Sequence, residues 1–291
     1  MASLLALTAA MAYGAGDFLG GVASRRAPTT AVVLWSHVVG LLLMLVAAPL
    51  VGGEATARAL AVGAGAGLVG AVGVALFYQG LSVGSMSVVA PIAGLLSAAV
   101  PVAAGLAIGE RPGVAALAGI ALALLAITLV SRDAADGDVA RTVTADESPA
   151  VPRGTPAVQV LALATAAGVA FGLFFVALNG AGDGTGIWPL VGARTASVTL
   201  FTILGLAGVT RAAPPREAAG AAIGAGLLDA SANVFYLLAL SHGLLSVVSV
   251  LTALYPAGTV LLARYGLGEH MSAVQRTGLA VAGVSAVLIA V

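Results

Sequence analysis

Charge and cysteine are what this sequence has little or none of. Of its 291 residues only 8% are charged and 60% are hydrophobic, whereas about a quarter of the residues in soluble domains are charged. So few charges cannot cover a water-soluble surface, so the lipid bilayer must be the main solvent of the chain. Because there is no cysteine, disulfides, thiolate nucleophiles and cysteine-ligated metals are excluded.

Other absences narrow the function. Twelve basic residues, all of them arginine, balance twelve acidic ones, so the chain has no basic field that would indicate a nucleic-acid partner. It carries no glycine-rich phosphate loop, no HExxH zinc motif and no serine elbow, which removes the positive case for an ATP-driven pump or a hydrolase. We therefore expect no enzyme, no cofactor, no metal and no nucleic acid.

Long apolar stretches dominate what is present. A helix crosses the hydrocarbon layer in about 20 residues, and charges, prolines and turn residues divide the chain into ten stretches of roughly that length. The first has no basic region of a secretory signal before it, so we interpret it as a span. The predicted spans are 2–22, 29–51, 58–82, 85–108, 112–131, 157–180, 186–209, 217–241, 244–266 and 272–291.

One connector differs from the short turns between the other spans. Residues 132–156 hold eight of the 24 charged residues and lack apolar periodicity, which predicts a polar flexible linker. The linker divides the spans five and five. The expected organisation is therefore a first repeat over 1–131, the linker over 132–156, and a second repeat over 157–291.

The two halves share short motifs in the same order. The matching pairs are Ala12-Tyr13-Gly14 with Ala170-Phe171-Gly172, Gly63-xxx-Gly67 with Gly220-xxx-Gly224, Phe77-Tyr78 with Phe235-Tyr236, Ser87-Val88-Val89 with Ser246-Val247-Val248, and Gly109-Glu110 with Gly268-Glu269. Because five spans is an odd number, the second copy enters the membrane from the opposite side. The prediction is an all-α integral membrane protein of two inverted five-helix repeats, which in secondary transporters hold the substrate between them.

The end of each half resembles a known family. Leu254-Tyr255-Pro256, Gly268-Glu269 and the glycine-rich last helix are similar to the repeat ending of EamA-type members of the drug/metabolite transporter superfamily. Gly109-Glu110 and the helix after it form the first-half counterpart. Two positions depart from this match, since Ser97 stands where the second half has Pro256, and His37 where it has Arg194.

The resemblance covers nearly the whole chain apart from the linker. It implies a secondary transporter, multi-pass in the cell membrane, that moves a small metabolite or drug, with proton-coupled efflux as one form. The expected partners are a small-molecule substrate, the lipid bilayer and, where transport is coupled, a proton. The expected assembly is a monomer or a homodimer.

Ionisable side chains inside the spans are the first candidates for a pathway, because they cost several kcal/mol unless they face a cavity or a partner. They are Asp17, His37, Arg194 and Asp229. Each has an alternative. The two acids could be structural hydrogen-bond acceptors, Arg194 could bind a substrate carboxylate, pair with an acid or snorkel, and His37 could shuttle protons or simply pack.

Hydroxyl and amide side chains extend these candidates along the same helix faces. They are Tyr13 on the face of Asp17, Asn233 and Tyr236 on the face of Asp229, Tyr255 on a polar stripe of the ninth span, and Tyr78, which matches Tyr236 in the repeat.

The mechanistic hypothesis is that Asp229 or Asp17 binds a coupling proton. Burial disfavours a charged carboxylate and water favours it, so proton binding and release would follow the opening of the site to either side. A salt bridge from Arg194 would instead favour the charged form and make both partners structural elements.

Two alternatives come from other functional classes. Gly14-Ala15-Gly16-Asp17 spells the GxGD motif of intramembrane aspartyl proteases, with Asp229 as a second carboxylate, although the flanks lack the Tyr-Asp pair and the Pro-Ala-Leu segment of such enzymes. A non-transporting membrane scaffold would be expected to carry a large soluble domain, which the sequence does not contain.

Overall fold

The computed structural model describes residues 1–84, 86–141, 156–182, 184–208, 216–267 and 272–290. The described residues form eleven helices and no strand. The helices are α1 (Ala2–Ser24), α2 (Thr29–Val51), α3 (Ala57–Val83), α4 (Met86–Ala107), α5 (Val114–Arg141), α6 (Ala157–Asn179), α7 (Trp188–Leu206), α8 (Arg216–Leu240), α9 (Leu245–Thr252), α10 (Tyr255–Leu267) and α11 (Ala273–Ala290). The all-helical prediction is confirmed for this part of the chain.

The helices also have the length and composition of membrane spans. Within the described ranges, seven of them are long and apolar enough to cross a bilayer, and shorter apolar helices cover Val114–Leu129, Leu245–Thr259 and Ala273–Ile289. Together they match the ten predicted spans. Large apolar side chains such as Leu42, Val46 and Leu206 lie exposed on the outside of the bundle, where lipid would cover them.

The ninth span is the one that differs most from its prediction as a single helix. It is broken between α9 and α10 at Ala253 and Leu254. Pro256 is the second residue after the break, and proline has no N–H to donate and clashes with the preceding turn of a continuous helix. A broken helix inside a membrane is tolerated only where protein or a water-filled cavity surrounds it, and Ala253 and Leu254 are both buried.

The predicted linker lies mostly outside the described residues, as does the Gly268-Glu269 motif. Residues 142–155 and 268–271 lie outside the ranges that the structure describes. The part that is described differs from the prediction, because α5 continues to Arg141 instead of ending near residue 131. The alanines and charged residues after 131 are compatible with a helix that extends beyond the bilayer.

The helices of the two halves pack against each other rather than separately. Of the helices of the first half, α1 packs on α8 and α10 of the second half, and α3 packs on α6 and α7. In addition, α4 packs on α6, α2 on α8, and α5 on α11. Each half therefore packs mainly against the other half.

Glycine allows the closest of these approaches. A Cβ on Gly63 of α3 would lie 2.7 Å from the carbonyl carbon of Pro189 on α7, and one on Gly67 would lie 2.6 Å from that of Ala193. The first Gly-xxx-Gly pair therefore serves close packing of α3 on α7. Its counterpart behaves differently, because nothing lies within 4 Å of a Cβ on Gly220, while one on Gly224 would meet Leu19 at 2.8 Å.

One end of the bundle is closed by contacts between two connecting loops, residues 52–56 and 180–187. The backbone N–H of Glu54 donates to the carbonyl of Gly184 at 3.0 Å, and Trp188 Nε1 donates to the carbonyl of Gly53 at 3.2 Å. Gly53 and Gly186 both have positive φ, 95° and 54°, which favours glycine. We refer to these contacts as the loop closure.

Glu110 joins two other elements. It lies just after α4, and its carboxylate accepts the backbone N–H groups of Leu245 at 2.6 Å and Ser246 at 2.9 Å, at the start of α9. Glu110 therefore caps α9, and its negative charge also meets the positive end of the dipole of that helix.

We expect Gly63→Leu to destabilise the fold because a leucine would collide with the backbone of α7. We expect the free energy of unfolding to fall by about 2 kcal/mol or more, as is typical of overpacking. Gly65→Leu is the matched control, since nothing lies within 4 Å of a Cβ there. Thermal unfolding of the two purified variants in detergent tests this expectation, and equal midpoints would contradict it.

We expect Glu110→Ala to loosen the start of α9 by about 1 kcal/mol, the usual worth of a helix cap. Amide hydrogen exchange at Leu245 and Ser246 should then become about fivefold faster. Exchange in α6, which Glu110 does not contact, should not change. Unaltered exchange at both amides would show that the cap is not what holds this helix end.

Candidate functional site

A cavity lies between the two halves. Its walls come from α1, α2 and α3 of the first half and from α6, α7, α8 and α10 of the second. The structure brings eight of the nine predicted pathway residues to this one cavity. They are Tyr13, Asp17, His37, Tyr78, Arg194, Asp229, Asn233 and Tyr255.

An ion pair between Arg194 on α7 and Asp229 on α8 forms one wall. Arg194 Nη2 donates to Asp229 Oδ2, and the two side chains are only 9% and 19% exposed. Gly40 of α2 makes room for the arginine, because a Cβ there would lie 3.3 Å from Arg194 Nε. Of the roles that the sequence left open for Arg194, the structure therefore shows pairing with an acid.

Asp17, the other acid of the cavity, differs from Asp229 in its contacts. It is partly exposed in the cavity, and among the described residues no hydrogen bond or ion pair reaches its carboxylate. Its helix packs tightly on α8 at this level, since a Cβ on Gly16 would lie 3.3 Å from the backbone nitrogen of Asp229. The two acids that the sequence could not distinguish thus differ, one being paired and the other unpaired.

His37 is held by a serine that the sequence prediction missed. His37 Nδ1 lies 2.9 Å from Ser197 Oγ, and the Ser197 hydroxyl donates to the carbonyl of Arg194 at 3.0 Å. The ring also meets Phe201 nearly edge-on at 6.4 Å between centroids. His37 is 2% exposed and so fully packed, which fits its packing role, while its other ring nitrogen has no partner in the described chain.

Tyr236 is the predicted pathway residue that does not line the cavity. It is fully buried, its ring stacks on Phe175 at 4.3 Å and 31°, and its hydroxyl lies 3.0 Å from Ser249 Oγ of α9. Helical spacing correctly put it on the face of Asp229, but Phe175 and α9 cover that face at the level of Tyr236. Tyr236 supports the cavity wall from behind.

Aromatic residues of α6 were also missed. Phe171, Phe174 and Phe175 line the cavity, and Phe175 meets Tyr13 at 6.1 Å in an edge-on contact. Their spacing of three and four residues is the signal that could have identified one helix face. In so apolar a chain, that same spacing is equally typical of helix packing, and it therefore could not single out a cavity.

The protease alternative finds no support in this geometry. The carboxylate of Asp229 is paired with Arg194 and cannot share a proton with Asp17 as an aspartyl dyad does. The glycines of the GxGD motif serve packing, since a Cβ on Gly14 would lie 2.6 Å from the carbonyl oxygen of Tyr255. In the described ranges there is also no cluster of three or more His, Cys, Asp or Glu side chains that could hold a metal.

Comparison with known proteins agrees with this architecture. A model of the EamA-like transporter family matches residues 1–132 and 159–291. Eighteen chains of solved structures are similar to this one. One crystal structure has a TM-score of 0.66 and 17% sequence identity, over 99% of this chain and 95% of the other. At that identity the likeness concerns the fold alone. No curated protein matches the sequence.

We expect the Arg194–Asp229 pair to be needed for stability only as a pair. Arg194→Met or Asp229→Leu alone should each destabilise the protein by about 2 kcal/mol or more, because the remaining charge is left unpaired in a mostly buried site. The double variant should recover part of that loss. A double-mutant cycle from thermal unfolding measures the coupling.

Glu217→Gln serves as the control for that cycle, since Glu217 is an exposed acid in the first turn of the same helix. Its unfolding midpoint should match that of the parent. Additive losses in the double variant would mean that the two charges do not stabilise each other.

Proposed function

We propose that this chain, which belongs to the EamA-like transporter family, is a secondary transporter that binds its solute in the cavity between the two halves. The family belongs to the drug/metabolite transporter superfamily. It implies a small-molecule substrate and a multi-pass membrane protein. The observation that carries the proposal is the cavity itself, since ionisable side chains from both halves line it inside an otherwise apolar bundle.

The packing of the helices supports two inverted repeats as the framework of transport. If α6 to α11 repeat α1 to α5, with α9 and α10 together matching α4, then each contact should have a counterpart with the halves exchanged. Contacts of α1 with α8 and α10 have their counterparts in those of α6 with α3 and α4, and α2 with α8 corresponds to α7 with α3. Transporters with such repeats work by rocking one repeat against the other around a fixed site.

The loop closure supports alternating access. It joins the α2–α3 loop of the first half to the α6–α7 loop of the second half, so separating the halves at that end must break it. We propose that this closure opens, and that the opposite end of the bundle closes, when the cavity changes the side of the membrane to which it is accessible.

Asp17 is the proposed site of proton coupling. Between the two candidate acids, Asp229 already has a cation within hydrogen-bond distance, which favours its charged form and gives it a structural role. Asp17 has no such partner in the described chain and lines the cavity. Its carboxylate would take up a proton when the cavity is closed to water and release it when the cavity opens, which would drive solute efflux.

Asp17→Asn tests the coupling. The variant keeps the size of the side chain but cannot exchange a proton, so we expect it to fold, to lose uphill transport driven by a pH gradient, and to retain exchange of solute across the membrane. The measurement is a screen of small metabolites in proteoliposomes that contain the pH dye pyranine, which reports proton movement linked to each solute.

Glu217→Gln is the matched control, because Glu217 is an exposed acid outside both the cavity and the loop closure, and it should transport as the parent does. Uphill accumulation by Asp17→Asn equal to that of the parent would remove the coupling role from Asp17. If Asp229→Asn is equally active, both acids are structural. Failure of every solute to exchange, in protein that remains folded, would oppose the transport proposal itself.

A further inference from the structure

We infer that the cavity is built to hold a small organic cation, an amine with several N–H donors attached to an apolar body. This inference rests on the proposed transport function and names its substrate class. It follows from three properties of the cavity: unpaired polar atoms on residues of its wall, its net charge, and the aromatic residues that α6 contributes.

The first unpaired atom is a hydrogen-bond acceptor on His37. Ser197 has one hydroxyl proton, and donating it to the carbonyl of Arg194 allows the serine oxygen to accept from His37 Nδ1. The opposite assignment would satisfy one of these two contacts instead of both. His37 Nδ1 therefore carries the proton, and Nε2 is left with a free lone pair. Nε2 is buried and has no partner among the described residues.

The second unpaired atom is the side-chain oxygen of Asn233. The amide nitrogen donates to the backbone carbonyl of Asp229 at 2.8 Å, and turning the amide round would bring two oxygens together. Asn233 Oδ1 is therefore an acceptor. It is buried without a partner in the part of the chain that the structure describes, although a buried polar atom left unpaired costs about 1–3 kcal/mol. A ligand with N–H groups would satisfy both acceptors.

The charge of the cavity favours the same class of ligand. Arg194 and Asp229 neutralise each other. The remaining ionisable groups on the wall are three tyrosines, the neutral His37 and Asp17. When Asp17 is ionised, the cavity therefore carries one negative charge in excess, and a bound cation would compensate for it.

The wall formed by α6 is suited to the apolar part of such a ligand. Phe171, Phe174 and Phe175 line the cavity, and Phe175 contacts Tyr13. Aromatic rings offer apolar contact area and attract cations at their faces. The hydroxyls of Tyr13 and Tyr255 are also buried without a partner in the described chain, and each can accept from an amine or donate to an anion. The preference for a cation therefore rests on Asp17, on the acceptors of His37 and Asn233, and on the guanidinium of Arg194 being already paired.

Three probes of matched size and different charge test the inference: 2-phenylethylamine, 2-phenylethanol and 3-phenylpropionate. Binding of each to the purified full-length protein in detergent is measured by titration calorimetry at neutral pH. We expect the amine to bind about tenfold or more tightly than the alcohol, the difference of a charge-assisted hydrogen bond. The carboxylate should bind weakest. Tighter binding of the carboxylate, or no binding of any probe, would overturn the inference.

Variants of the cavity residues test which side chains produce the preference for the amine. Asp17→Asn should lower the affinity for the amine to that for the alcohol, and Asn233→Leu should weaken amine binding about threefold or more while leaving the alcohol less affected. Glu217→Gln should bind all three probes as the parent does. Should Asp17→Asn fail to fold, the loss in Asn233→Leu decides, and amine binding unchanged in both variants would refute the site.

Binding in detergent separates this inference from the proposed function. Selective amine binding without any transport in proteoliposomes would leave the cation site standing and remove the transporter. Transport of a solute together with preference for 3-phenylpropionate would support the transporter and rule out the cation site.

Discussion

A bilayer contains no water with which to satisfy a polar group, and the rest of this structure depends on that constraint. Backbone hydrogen bonds are closed within helices, and polar side chains are paired between helices. Ser197 serves both His37 and Arg194, Glu110 satisfies the start of a helix far from it in sequence, and Arg194 meets Asp229. In the described chain, four of the seven buried side-chain atoms without a partner belong to residues of the cavity wall, which is where we propose that a ligand binds.

Most of the fold could be predicted from the sequence, because hydrophobic length is a strong signal in a membrane protein. Nine of the ten spans correspond to single helices, and the resemblance to EamA-type proteins is confirmed by the family match. The exceptions have local causes. The break before Pro256 depends on whether neighbouring helices protect the free backbone, and the extension of α5 to Arg141 depends on helix propensity outside the lipid. The inversion of the repeats remains a prediction.

The sequence allowed most residues of the site to be predicted, but not which of them contact each other. Ionisable side chains are costly in lipid wherever they occur, so composition alone drew attention to Asp17, His37, Arg194 and Asp229. Which of them pair is decided by how each helix is rotated, and small glycines such as Gly40 and Gly16 determine how closely the helices approach. No periodicity within one helix contains that information. The same limit explains why Ser197 was overlooked and why Tyr236 was placed in the pathway.

Three of the four groups that form the loop closure are main-chain groups, since Gly53 and Gly184 contribute carbonyls and Glu54 a backbone amide, while Trp188 contributes its side chain. Every amino acid except proline carries these main-chain groups, so the contacts depend on few side chains: on Trp188, and on glycine at positions 53 and 186, where φ is positive. None of these three residues lines the cavity. If the cavity and the closure act as we propose, the residues that recognise the solute can therefore change in evolution without changing the contacts that hold this end of the bundle together.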